Sequence, residues 1–312
     1  MNFGSFRSAS TAMRRLIVVT MITCILLVLC PTVIACAQWI AGSPEGTPGG
    51  NGDNQGTDKI TYTSIPVASS DVYSKGTLLI VNNDTPIRTY PSDTQLVRIN
   101  GENKASSYKV KTDQFRLRSE ALIAFNEMLN AYFAATNDGT VIITSAYRTE
   151  AEQAALTSST VKAGYSDHHL ALSLALKQND ERSTSELPNG HWIYENGYKY
   201  GYIQRYPQGK ESSTGDTQAY YNCVRYVGIP HATYMKENNL SLEEYVEAVK
   251  SYTQSGTHLS VSAGGATYEI YYVPANLMGS DTDVTTLTVP SNREYSYSGN
   301  NTDGFIVTVK IS

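Results

Sequence analysis

The apolar positions of this chain fall into three regimes. Residues 16–41 are apolar without a charged side chain, directly behind Arg14 and Arg15. That length suffices to span a bilayer, which needs about 20 residues, and the arginines mark an inner flank. Residues 42–58 are rich in Gly, Pro and polar side chains, cannot bury a core, and read as a tether. From residue 59 onward the pattern is that of a folded protein. Residues 117–136 place Leu122, Phe125, Leu129, Tyr132 and Phe133 at helical spacing, and Asn137-Asp138-Gly139 then turns the chain into a strand at 141–144. A short Ala- and Glu-rich helix is predicted at 149–156, and a strand with a turn at 78–82. Residues 169–176 alternate, with Leu170, Leu172, Leu174 and Leu176 on one face, which predicts a half-buried strand. Ser241 and Glu244 form a capping box that opens a helix through Tyr252. Beyond it, 267–273, 285–289 and 305–311 are β-rich. The expected fold is α+β: a mixed, largely antiparallel sheet flanked by helices, plus a small C-terminal β module. The expected segments are 1–41, 42–58, 59–253 and 254–312.

Charge and cysteine usage narrow the classes of function. The formal net charge is −5, and the first 41 residues hold three Arg and no acid. The rest of the chain therefore carries 21 basic and 29 acidic side chains. An acidic body with no basic stripe argues against a nucleic-acid partner. Cys24, Cys30 and Cys36 lie in the N-terminal apolar segment, so Cys223 alone belongs to the folded part and no internal disulfide is expected there. Three fates fit the N-terminal segment: an uncleaved anchor helix, a lipoprotein signal with Cys36 lipidated after Val33-Ile34-Ala35, or cleavage near Ala35-Cys36-Ala37. Each puts the folded part outside the cytoplasm, in the cell envelope, with the membrane as a partner of the N-terminal segment. The chain also has 23 Tyr against 6 Phe and 2 Trp. Tyr combines an apolar body with a polar tip and suits half-buried walls and wet grooves.

Four blocks carry chemistry, in order along the chain. They are Thr144-Ser-Ala-Tyr-Arg-Thr-Glu-Ala-Glu-Gln153, Gly164-Tyr-Ser-Asp-His-His-Leu-Ala-Leu-Ser-Leu-Ala175, Tyr200-Gly-Tyr-Ile-Gln-Arg-Tyr-Pro-Gln-Gly-Lys-Glu211 and Arg225-Tyr-Val-Gly-Ile-Pro-His-Ala232. Together they resemble the VanY-type D-alanyl-D-alanine carboxypeptidases, and the resemblance spans residues 78–252. It implies the zinc D,D-peptidase fold and, for active members, a metal held by two His and one Asp with an open position for water. A Glu takes that water's proton, and an Arg stabilises the oxyanion.

Carried over position by position, the resemblance puts His168 at the first ligand, Ala175 at the Asp, Tyr220 at the general base and Cys223 at the second His. Arg148 takes the oxyanion position, and Gln153 and Ser166 take substrate-positioning places. His168 and Cys223 make an incomplete metal set. His169, next to His168, is expected to point the other way along the strand. His231 is expected to be structural, and His191 and His258 to lie at the surface. The leading expectation is a non-catalytic relative without a cofactor, holding a peptidoglycan stem peptide ending in D-Ala-D-Ala through Arg148, Gln153 and the Tyr-rich stretch 194–221. The alternatives are an active carboxypeptidase with a rebuilt zinc site, and an envelope scaffold that binds a protein or another cell-wall component.

Overall fold

The computed structural model describes residues 59–101, 104–157, 159, 161–179, 184–215, 221–280 and 282–312. The N-terminal apolar segment, the tether and Tyr220 lie outside them. In chain order the elements are β1 (Tyr62–Ala68), β2 (Leu96–Arg98), β3 (Lys109–Val110), β4 (Arg116–Arg118), α1 (Ser119–Thr136), β5 (Val141–Ser145), α2 (Glu150–Ala154), β6 (Ser173–Asn179) and β7 (Thr184–Glu186). Then come α3 (Trp192–Asn196), β8 (Tyr202–Gln204), α4 (Glu211–Thr214), β9 (Cys223–Tyr226), α5 (Ile229–Glu237), α6 (Leu242–Val249), β10 (Leu259–Ala263), β11 (Ala266–Pro274), β12 (Val284–Pro290), β13 (Tyr295–Gly299) and β14 (Gly304–Lys310). The α+β expectation holds.

The central sheet runs β3-β5-β6-β9-β8, with β7 also on β6. Only β3 and β5 are parallel. Period-2 alternation gives this sheet two different faces. Leu174, Leu176, Val224, Val141, Ile143 and Tyr202 join Leu122, Phe125, Leu129 and Tyr132 of α1 in one core. Each such side chain, fully buried, contributes roughly 1.5–3 kcal/mol. Phe133, expected with them, is exposed. The other face carries Ser173 opposite Arg225 and Ala175 opposite Cys223. Helix α1 stops where Asn137 turns left-handed, at φ 56°. Its start is later than expected, because Leu117 and Arg118 pair as β4 with β2.

Three further expectations need correction. Residues 78–81 are not a strand but an unladdered extended segment whose alternation serves two cores. Leu79 and Val81 enter the α1 core, and Leu78 and Ile80 enter a second core with α5 and α6. The strand predicted at 169–176 begins only at Ser173. Before it, Asp167–Leu170 forms a 3-10 turn closed by Ala171 in the left-handed region at φ 55°. Helix α6 opens on the Ser241–Glu244 capping box but ends at Val249 rather than Tyr252.

The C-terminal β-rich stretch forms an antiparallel sheet, β10-β11-β14-β13. Its alternation again feeds two cores. Leu259, Val261, Ile270, Tyr272 and Ile306 pack with α5 and α6, while Tyr271, Val273, Phe305, Val307 and Val309 pack with Val67, Leu287 and Val289. The latter group comes from a two-stranded ribbon in which β1 pairs antiparallel with β12 over more than 200 residues of chain.

Candidate functional site

On the face of the sheet away from α1 lies a cavity of about 200 Å³. Its lining comes from Ser145 at the end of β5, Arg148 in the β5–α2 turn, Leu156 and the loop through Ser159 and Val161, Ser166, His168, Ala175, Tyr206, Asn222 and Cys223. The strands explain the convergence. Ala175 lies directly across from Cys223 on β9 and from Ser145 on β5, so the three side chains leave the sheet on one side. His168 arrives from the 3-10 turn.

His168 is 7 % exposed, and its Nδ1 has no hydrogen-bond partner. Burial, reinforced by the nearby Arg148 charge, pushes its pKa down to about 3, so the imidazole is neutral. Cys223 is 2 % exposed, and burial together with the Asp167 charge pushes its thiol up to about 12. Both groups are therefore neutral in this cavity at neutral pH. Arg148 lies along the wall with Nη2 3.4 Å from Ser166 Oγ. Its backbone N–H donates to the His168 carbonyl at 3.4 Å.

The other predicted residues fall elsewhere. Gln153 is buried behind the cavity wall. Its Nε2 donates to Val161 O at 2.8 Å and to Ser159 Oγ at 3.2 Å, so it holds the loop that forms the wall. The geometry expected for His169 also differs: it shares the 3-10 turn with His168 rather than alternating on a strand. Its Nδ1 donates to Arg148 O at 2.7 Å and its Nε2 accepts from the Gly164 N–H at 3.1 Å. His231 bridges Tyr245 at 2.6 Å and Thr308 at 3.2 Å, in a buried structural place. His191 is half-buried and accepts from Ile193 N at the start of α3, rather than standing free at the surface. His258 stacks on Tyr271 and pairs with Glu269 at 2.9 Å.

Beneath the cavity is a charge network that the sequence reading missed. Asp167 is 1 % exposed and accepts from Arg225 at 2.5 Å and Arg205 at 3.1 Å on one oxygen, and from Ser173 on the other. Arg205 in turn grips Glu243 through two bonds of 3.0 and 2.6 Å. Arg225 also donates to the Thr77 and Leu79 carbonyls, tying down the extended segment. Burial alone would raise the Asp167 pKa, but Arg225, Arg205 and Ser173 outweigh it and hold the carboxyl at about 2. This carboxylate is committed to two guanidinium groups and is not a free metal donor.

A family profile described as VanY, D-alanyl-D-alanine carboxypeptidase, matches residues 114–229. A D-alanyl-D-alanine carboxypeptidase of Enterococcus faecium is 36% identical over 265 residues, covering 82% of each chain. The chain belongs to the VanY family of D-alanyl-D-alanine carboxypeptidases. Among solved structures, the vancomycin-resistance D,D-dipeptidase VanXYg, held with a D-Ala-D-Ala phosphinate analogue, superposes with a TM-score of 0.65 at 26% identity, covering 80% of this chain and 99% of its own. A VanY D,D-pentapeptidase solved with Zn(II) is also 26% identical, at a TM-score of 0.43 over 55% of this chain and 98% of its own.

For this VanY-family chain, the zinc implied by the resemblance was tested against the donors present. Ala175 offers a methyl group where the resemblance implies a carboxylate, and Cys223 offers a sulfur that ligates a metal only on losing its proton. Among the described residues no group of three His, Cys, Asp or Glu side chains could hold a metal ion. One imidazole and one thiol fall short of the three protein ligands of a catalytic zinc site, so these residues do not fit it.

Proposed function

We propose that this VanY-family protein binds the D-Ala-D-Ala end of a peptidoglycan stem peptide without cleaving it. The observation that carries the reading is the cavity itself. It keeps Arg148 and Ser166 on one wall, while the positions that serve hydrolysis present the Ala175 methyl and a neutral thiol. A guanidinium suits a peptide's terminal carboxylate, and Leu156, Val161 and Ala175 suit alanine methyl groups. The apolar segment 16–41 and the tether that follows would hold this cavity outside the membrane, within reach of the wall.

The test is calorimetric titration of the full chain in detergent with diacetyl-L-lysyl-D-alanyl-D-alanine, alongside an assay for free D-alanine with and without added zinc. Saturable binding, weakened at least about tenfold by Arg148→Ala, with no D-alanine released, is the expected result. Release of D-alanine would make the protein an enzyme with a rebuilt site. Binding indifferent to Arg148→Ala would remove the cavity from the account.

A further inference from the structure

We infer that the protein has a second ligand site, a cleft that takes an oxyanion carried on a polyhydroxylated backbone. The cleft measures about 500 Å³ and is lined by Ser74, Lys75, Gly76, Thr89, Tyr90, Ser92, Gln95, Arg118 and Glu120. It stands apart from the cavity already described and shares no lining residue with it.

Arg118 is the reason for the assignment. It is 3 % exposed, yet among the described residues it makes no ion pair, the Glu120 charge acting on it only from a distance. Its Nε donates to the Leu170 carbonyl at 3.0 Å and its Nη1 to the Gly76 carbonyl at 3.2 Å, and its Nη2 has no hydrogen-bond partner among the described residues. Buried cations are ordinarily paired, and the other two fully buried arginines, Arg205 and Arg225, are paired with carboxylates here. A guanidinium with one nitrogen left over, in the wall of a cleft, is a place for an anion.

Two further features point the same way. Lys75 supplies a second, exposed cation in the same cleft, lying 5.3 Å from the centre of the Tyr297 ring. The 18-residue helix α1 begins at this wall, and Arg118, at its N-cap, gives it no side-chain cap. First-turn amides without a cap favour negative charge. Glu120 opposes an anion and lowers the net charge of the lining to one positive. The ligand is therefore singly anionic at the point of contact. Hydroxyls from Ser74 and Thr89, the Gln95 amide N–H groups and the Tyr90 ring complement the hydroxyl groups and faces of a sugar or polyol, while Ser92 and the Gln95 Oε1 are engaged with each other.

The oxyanion could be the phosphate of a polyol-phosphate polymer or the carboxylate of a glycan sugar. Titration of the full chain in detergent with sn-glycero-3-phosphoglycerol, a singly charged phosphodiester, and with N-acetylmuramic acid separates the two, with glycerol and N-acetylglucosamine as neutral controls. Saturable binding of one or both anions, weakened by added salt and stronger than that of the matching neutral control, supports the site and names its source. Arg118→Gln should weaken binding at least about tenfold. Because Arg118 also braces the Leu170 and Gly76 carbonyls, exposed Lys75 provides the safer variant: Lys75→Gln should cost about two- to fivefold and Lys75→Glu more. Binding of D-alanyl-D-alanine peptide should be unmoved by either Lys75 variant, so failure here is distinguishable from failure of the first cavity. No saturable binding of either anion, equal binding of the neutral controls, or an affinity indifferent to Lys75→Glu would overturn the inference.

Discussion

Replacing Asp167 by Asn should destabilise the fold by about 3 kcal/mol at neutral pH, because among the described residues it leaves buried Arg225 with no carboxylate and buried Arg205 with Glu243 alone. The pH dependence gives an independent magnitude. The Asp167 carboxyl titrates at 3.8 when unperturbed and at about 2 in the fold. At 1.36 kcal/mol per pH unit, that difference is worth about 2 kcal/mol of stability. The folded pKa is the lower one. The contribution is therefore complete above about pH 4 and fades as the pH falls through about 2. Thermal and urea unfolding followed by circular dichroism would read it. For a domain of this size, 3 kcal/mol corresponds to a melting point lower by roughly 6–12 °C. The gap between wild type and Asp167→Asn should narrow steadily between pH 4 and pH 2. A loss below about 1 kcal/mol at pH 7, or a gap that did not narrow on acidification, would refute the reasoning that this network is a buried, charge-paired brace.

Other expectations follow from the same geometry. The triple substitution Ala175→Asp, Tyr220→Glu and Cys223→His should raise zinc content, measured by elemental analysis, from near zero to about one per chain, since it completes the donor set on the His168 side of the sheet. Failure to take up zinc would mean that the cavity no longer holds ligand geometry. With Cys24, Cys30 and Cys36 changed to Ser, the remaining Cys223 thiol should react with a disulfide reagent at pH 8 at least about a thousandfold more slowly than free cysteine, because burial holds it protonated. Rapid labelling would contradict that. His231→Ala should cost about 2–3 kcal/mol in urea unfolding by leaving the Tyr245 hydroxyl buried without its imidazole partner. Burial lowers the His231 pKa to about 3, below its ordinary 6.5, so the folded state favours the neutral ring. Its contribution is present above about pH 6.5 and is lost as the pH falls toward 3, and a flat profile over that range would count against it.

Much of the site was legible because its signals are local. A helix such as α1 announces itself by spacing, its stop by Asn137, and the capping box at Ser241 by residues three apart; the box at Thr149 emerged only with the structure. The ordered blocks placed Arg148, Ser166, His168 and Ala175 in one constellation, the resemblance added Cys223 between the last two blocks, and all five line one cavity. Gln153 shows the limit. Its place in the first block pointed to the substrate, but whether its amide faces a ligand or holds Val161 depends on a loop eight residues away.

What the sequence by itself determined is the family, the α+β class, and the identity of the side chains at the positions that the resemblance aligns. These follow from residue type and short-range periodicity, which tertiary packing selects among but does not rewrite. What only the tertiary structure decided is pairing at long range. The ribbon of β1 with β12, the division of residues 78–81 between two cores, and the Arg205–Asp167–Arg225 network each join parts of the chain that carry no mutual signal in one dimension. Arg and Asp in a sequence ordinarily read as solvated surface. Here burial makes them a paired core, and the same burial turns His168 and Cys223 into neutral groups, because a low-dielectric interior favours the uncharged form wherever no partner compensates.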